Sequence, residues 1–170
     1  MKKKGFTIIE VSLVLAIAGL IFLMVFIALP ALQRSSRDAT RREDLLGLIS
    51  AIKKYQSNNR GALPTDSGRI EFNASTTDKT TWAGFYKNYL GENFKDPSGG
   101  VNYVLEVSEC TDSDSGCSDG ITGKTFPNEY QVLIKKGASC SGETVSKVSN
   151  PRKIAVLYKL EGGGIFCENT

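Results

Sequence analysis

Between Val11 and Leu29 the chain is almost wholly apolar, and the run opens at Phe6, directly behind the basic stub Met1-Lys2-Lys3-Lys4-Gly5. About 20 apolar residues rising 1.5 Å each cross a hydrocarbon core of about 30 Å, so the stretch from Phe6 is long enough to span a bilayer. Everything after Gln33 is average or polar, and the 41% hydrophobic content therefore averages two different materials. The three lysines argue for a cytoplasmic N-terminus. Arg34, Arg37, Arg41 and Arg42 flank the other end and leave the charge rule alone ambiguous, and the acidic Asp38, Glu43 and Asp44 do little to resolve it. An ordinary cleaved signal peptide has a shorter apolar region and a small-x-small cleavage site, which Ala28-Leu29-Pro30 fits poorly.

Glu10 is the informative exception inside this run. A carboxylate placed centrally in a spanning helix costs about 2.5–3.5 kcal/mol on insertion scales, and less near the interface. It either snorkels to the headgroups or meets a positive charge in a dry, assembled environment. Gly5-Phe6-Thr7-Ile8-Ile9-Glu10, following a lysine-rich stub, resembles the processing motif of type IV pilins and related pseudopilins. The resemblance implies cleavage after Gly5 by a prepilin peptidase, N-methylation of Phe6, and neutralisation by Glu10 of the cationic N-terminus of a neighbouring subunit. A buried carboxylate and a buried ammonium are each expensive alone and tolerable together, which agrees with that role.

Helical periodicity continues past the apolar run, with Leu45, Leu48, Ile49, Ile52 and Tyr55 on one stripe and Arg42, Glu43, Lys53 and Lys54 on the polar face. The pattern predicts one helix from about Phe6 to about Asn58, roughly 80 Å long, stopped by Asn58-Asn59-Arg60-Gly61 and Pro64. Pro30 removes a backbone hydrogen bond and is expected to bend or loosen the helix, with Gly19 a weaker point of give. Many members of the resembled family carry a proline a few residues earlier, where this chain has Ile27.

The expected fold class is α+β: a long N-terminal helix, membrane-spanning in its first half, packed on a small antiparallel β-sheet head. The divisions are a cleaved leader at 1–5, a transmembrane or filament-core half-helix at 6–29, its outer half at 30–58, a connecting region at 59–100, and a sheet head at 101–170. Within the connection, Trp82 to Leu90 reads as an amphipathic piece whose aromatic rings pack on the core. Strands are expected at Val101–Val107, Glu129–Ile134, Lys153–Tyr158 and Ile165–Cys167, three or four of them antiparallel. The turn Lys95-Asp96-Pro97-Ser98-Gly99-Gly100 leading into a strand with Tyr103 is also similar to the heads of many pilins and pseudopilins.

All four cysteines lie in the C-terminal part without a Cys-x-x-Cys pair, so disulfides are preferred to zinc. Of three pairings, Cys110–Cys117, closing a short Ser/Asp/Gly loop, and Cys140–Cys167, pinning the C-terminus, are favoured. The stretch between Cys110 and Gly120 concentrates oxygen ligands suited to calcium in Asp112, Asp114 and Asp119. Its spacing is not that of an EF-hand, so no cofactor is expected and a disulfide-pinned solvated loop is the preferred reading. Asn73-Ala74-Ser75 fits the N-glycosylation pattern, with an unmodified loop preferred.

The chain lacks histidine, which removes His-based triads and the commonest metal ligand. Its net charge of +3 equals the contribution of Lys2, Lys3 and Lys4. A balanced remainder argues against a broad nucleic-acid-binding field, and the arginine cluster reads as a solvated helix face paired with Asp38, Glu43 and Asp44. No enzyme is expected. The resemblance implies a precursor in the cytoplasmic membrane, then an extracellular helical polymer of itself and other pilins raised by a platform protein and an assembly ATPase, serving adhesion, twitching motility or DNA uptake. A type II secretion or competence pseudopilin, a membrane-anchored ligand-binding head, and an anchored carboxylate hydrolase using Asp112, Asp114 and Asp119 are the alternatives.

Overall fold

The computed structural model describes residues 5–110, 117 and 130–170. Its first element, α1, is a helix of 51 residues, Ile8–Asn58, with Pro30 inside it. It starts two residues later than the apolar pattern does, because Thr7 caps it from outside. Its end follows the expected signal: Arg60 and Gly61 take left-handed φ values of 56° and 81°. The Gly61 N–H then donates to Gln56 O at 2.7 Å, satisfying a terminal carbonyl of the helix.

The chain divides into two compact units, residues 1–36 and 37–170. In the first, no residue of the apolar window of α1 is buried among the described residues. The second is the head, and all of its core belongs to it.

Among the described residues seven strands build the head: β1 (Gly68–Ile70), β2 (Val104–Glu109), β3 (Gln131–Lys136), β4 (Ala138–Ser141), β5 (Thr144–Lys147), β6 (Ile154–Lys159) and β7 (Ile165–Asn169). Five of them form a sheet in the order β1-β2-β3-β6-β7, while β4 and β5 make a separate antiparallel hairpin. The sheet is antiparallel except for β2 and β3, which run parallel from Val104 opposite Gln131 to Glu109 opposite Lys136. The head is thus α+β and dominated by antiparallel pairing, with more strands than the alternation suggested and one parallel pair. Parallel neighbours need a crossover of a dozen or more residues, which the segment from Cys110 to Tyr130 is long enough to supply.

Strand β6 explains where the core sits. Its residues Ile154 to Tyr158 are all buried, as expected of a strand covered on both faces. Ile154, Val156 and Tyr158 face a cluster with Leu45, Leu48, Ile49, Ile52 and Tyr55 of α1, whereas Ala155 and Leu157 face a second cluster with Ala138 and Val145 of the hairpin. Burying each large apolar side chain of the α1 stripe is worth about 1.5–3 kcal/mol, so the stripe anchors the outer half of the helix to the sheet.

The aromatic stretch packs as its pattern implies. It forms a short helix, α2 (Trp82–Phe85), and a π-helical turn, Tyr86–Leu90. Trp82, Phe85 and Tyr86 are buried, and Tyr55 meets Phe85 and Tyr89 edge-on at 5.8 and 5.4 Å. Thr81 caps α2 by accepting from Gly84 N at 3.1 Å.

Candidate functional site

The N-terminal segment is built around a reciprocal cap. Thr7 Oγ1 accepts from the Glu10 backbone N–H at 3.3 Å, and Glu10 Oε2 accepts from Thr7 N and from Thr7 Oγ1, each at 2.9 Å. This is the S/T-x-x-E capping box, in which two orphan amides at a helix start are satisfied at once. Glu10 therefore has a local partner as well as any intermolecular one. The signal was present in Thr7-Ile8-Ile9-Glu10, but the reading of Glu10 as an isolated carboxylate passed over it.

Around the cap everything apolar faces outward. Phe6 and Ile8 are each 88% exposed, and large side chains stay exposed along α1 as far as Leu32. Gly5 is exposed, and among the described residues a Cβ at either Gly5 or Gly19 would meet nothing within 4 Å beyond its chain neighbours and, for Gly19, the backbone of its own helix. Pro30 is flanked by helix on both sides.

In the head, the structure gathers charged residues that sequence reasoning left apart. Arg41 is 4% exposed and Asp96 1%. The guanidinium grips Asp96 with two bonds, Nε to Oδ2 at 2.7 Å and Nη2 to Oδ1 at 3.1 Å, and also donates to Ser98 Oγ. Its Nη1 reaches Asp38 Oδ1 at 2.8 Å and Glu161 Oε2 at 3.2 Å. Asp38 in turn accepts the backbone N–H groups of Glu161 and Gly162 at 3.0 and 2.7 Å, and Tyr158 Oη donates to Asp96 at 3.0 Å. One helical turn of α1 thereby clasps the 96–98 turn and the β6–β7 connection. The reading of this arginine cluster as a solvated face is corrected for Arg41, which lies four residues before Leu45 on the buried stripe. That spacing was the available signal.

Burial pulls the Asp96 carboxyl upward, but hydrogen bonds from Arg41 and Ser98 outweigh it and hold the group below the ordinary carboxylate value. Asp38 follows the same balance, with burial opposed by the Gly162 and Glu161 amides and by Arg41. The bond to Asp96 pushes the Arg41 guanidinium up, so it stays charged. These groups are mutually satisfied and offer no poised base or nucleophile.

The cysteines pair as Cys110–Cys117 and Cys140–Cys167, with Cα separations of 5.6 and 5.8 Å, within the ordinary span of a disulfide. The second ties hairpin β4–β5 to β7. Asp112, Asp114 and Asp119, and with them the calcium and hydrolase readings, lie outside the described residues; among the described residues no group of three or more His, Cys, Asp or Glu is arranged to hold a metal. Asn73 is exposed, and its Oδ1 accepts from Ser75 N at 2.9 Å.

Residues 1–26 match the family profile of the prokaryotic N-terminal methylation motif, a class III signal peptide. No curated protein and no solved structure matches the chain. The motif, followed by an apolar helix long enough to span, marks a membrane-anchored, type IV pilin-like precursor.

Proposed function

We propose that this type IV pilin-like prepilin is the structural subunit of an extracellular filament, cut after Gly5, N-methylated on Phe6, and polymerised through α1. The observation that carries the reading is the run of large apolar side chains from Phe6 to Leu32, which begins within the methylation motif and is exposed among the described residues. In the bilayer, lipid tails cover it. In a polymer, the same surface of neighbouring subunits does so through close van der Waals packing, since lipid is as apolar as leucine and supplies no hydrophobic drive. Heads then form the exterior, and a heterologous, open-ended contact produces a fibre.

Glu10 selects the register in this scheme. Both of its capping bonds go to Oε2, and Oε1 is the acceptor for the amine of a neighbouring subunit's Phe6. The pair is tolerable in an apolar core only when both charges are present. The cap consists of Thr7 and Glu10, both retained after the cut, so maturation leaves the helix start intact. Gly19 and Pro30 supply the give that packing demands. A prepilin peptidase, a platform protein and an assembly ATPase are the implied partners, and the chain's own role is structural rather than catalytic.

The test is the intact mass and N-terminal residue of the protein from cells that make surface appendages. A methylated Phe6 at the N-terminus, a cut blocked by Gly5→Ala and filaments lost with Glu10→Ala are expected. Retention of residues 1–5 on the functional protein, with no polymer dependent on Glu10, would overturn the proposal in favour of a membrane-anchored head.

A further inference from the structure

Beside the ion cluster around Arg41 the head carries an open cleft of about 420 Å³. Three segments wall it: α1 at Arg42, the β4–β5 turn at Gly142 and Glu143, and the β6–β7 connection running into β7. All three lie within the second unit. Small-molecule sites are clefts of about 300–1,000 Å³ that combine apolar lining with a few placed polar groups. Here Leu160, Ile165 and Phe166 supply the apolar lining, and Arg42 and Glu143 the charges.

The walls are tied to one another. Asp38 accepts the Glu161 and Gly162 amides at 3.0 and 2.7 Å, which fixes the β6–β7 connection against α1 one turn before Arg42. The Cys140–Cys167 disulfide joins the hairpin to β7, and Glu143 Oε1 accepts the Ile165 N–H at 3.2 Å, seating the β4–β5 turn against the start of that strand. Gly163 and Gly164 take left-handed φ values of 96° and 82°, which favour glycine. A Cβ on Gly164 would stand 2.9 Å from Glu143 Oε1 and displace the carboxylate, so glycine there lets Glu143 seat. One on Gly163 would meet nothing within 4 Å beyond its chain neighbours among the described residues, which leaves that side of the cleft as open backbone.

We propose that this cleft binds a small zwitterion, a free α-amino acid with an aliphatic side chain, its carboxylate toward Arg42, its ammonium toward Glu143 and its side chain toward Leu160, Ile165 and Phe166. Charge selects the class. Arg42 and Glu143 border the same space from different elements, and among the described residues no ion pair joins them to each other or to a third group. Glu143 uses Oε1 for the Ile165 amide, and Oε2 is the acceptor for the ammonium. An anion alone would face the Glu143 carboxylate and a cation alone the Arg42 guanidinium, whereas a molecule carrying both charges satisfies both. One guanidinium against one carboxylate leaves no net positive field for a nucleotide phosphate. The aliphatic side chain follows from the lining, where Leu160 is buried and Ile165 and Phe166 are half-buried. This site belongs to the head and is independent of filament assembly through α1.

Amide NMR of the isotope-labelled full chain in neutral detergent and mildly acid buffer, titrated with L-leucine, tests it. Expected are saturable shifts of the Gly142, Gly163 and Gly164 amides. Leucinamide, which lacks the carboxylate, and N-acetyl-leucine, which lacks the ammonium, should each bind roughly fivefold more weakly, the scale of one solvent-exposed charge pair. Arg42→Gln, an exposed position on α1, should bring leucine down to the level of leucinamide without weakening leucinamide itself. Glu143→Gln retains a carbonyl oxygen to accept from the Ile165 N–H, and should bring leucine down to the level of N-acetyl-leucine without weakening that ligand. Equal affinity for the three ligands, leucine binding indifferent to both substitutions, or a titration that leaves the three glycine amides unmoved overturns the proposal. Tighter binding of maltose that survives both substitutions makes the cleft a neutral-sugar site and overturns the amino-acid assignment.

Discussion

Arg41 ties the outer half of α1 to both the 96–98 turn and the β6–β7 connection. Its guanidinium is matched on three sides by Asp96, Asp38 and Glu161, and removing it strands a buried carboxylate. Arg41→Ala is therefore expected to cost about 3–5 kcal/mol in urea unfolding of the head. Arg41→Lys is expected to fall between alanine and wild type, because an ammonium cannot reproduce the paired bonds to Asp96. Acid should act on the same clasp. Asp96 and Asp38 have folded pKa values below their ordinary ones, so between those limits the unfolded chain binds more protons and stability rises with pH. Their contribution is complete above the ordinary carboxylate value and is lost as pH falls below it through the lowered folded values. Asp44, raised by burial, acts with the opposite sign, and its bond from Tyr103 at 3.2 Å only partly offsets that burial. Urea midpoints measured down this acid limb should fall less steeply for Asp96→Asn than for wild type; an unchanged slope would remove the clasp from the explanation.

At the scale of elements, local signals and non-local ones separate cleanly. The start and end of α1 were readable, because Thr7-x-x-Glu10 and Asn58 to Gly61 are chemistry written within one turn. Strands β2, β3, β6 and β7 were readable from their apolar, β-branched content. β1, β4 and β5 were not, since Gly68–Ile70 is three residues long and Ala138–Ser141 and Thr144–Lys147 bury only one side chain each. Nor was the parallel pairing of β2 with β3, which depends on the partner each strand finds and not on its own residues. The clasp was legible only by carrying the α1 stripe back from Leu45 to Arg41 and admitting a charge to it. Two consequences belong to this scale. Thr7→Ala should fray the first turn of α1, costing about 1 kcal/mol and raising amide exchange at Ile8 to Glu10 while the head stays unchanged. Gly84→Ala should destabilise the head by about 1–3 kcal/mol in chemical unfolding, because a Cβ there would stand 1.8 Å from the Asp78 carbonyl oxygen, which is backbone and must move.

For the whole molecule, the distribution of partners decides where the chain can be divided. Every apolar side chain in the two buried clusters, both disulfides and all four carboxylate contacts of the clasp come from residue 37 onward, within the second unit. Residues before it contribute the capped start of α1 and the exposed apolar surface. A chain beginning at Arg37 is accordingly expected to fold without detergent, keep both disulfides and unfold in one cooperative step. A chain beginning at Leu45 keeps the whole apolar stripe of α1 but loses Arg37, Asp38 and Arg41, leaving Asp96 buried with only Ser98 and Tyr158 as described donors, and loses Asp44, the acceptor of the Tyr103 hydroxyl. Because breaking a buried pair from one side costs about 3–5 kcal/mol, the shorter chain should melt well below the longer one even though their hydrophobic cores are the same. Asp96→Asn should restore part of the difference by removing the stranded charge. Circular dichroism melts of the three chains check this ordering. Equal melting temperatures for the first two would show that the apolar stripe alone holds helix to sheet, and that the ion cluster stabilises nothing beyond its own desolvation.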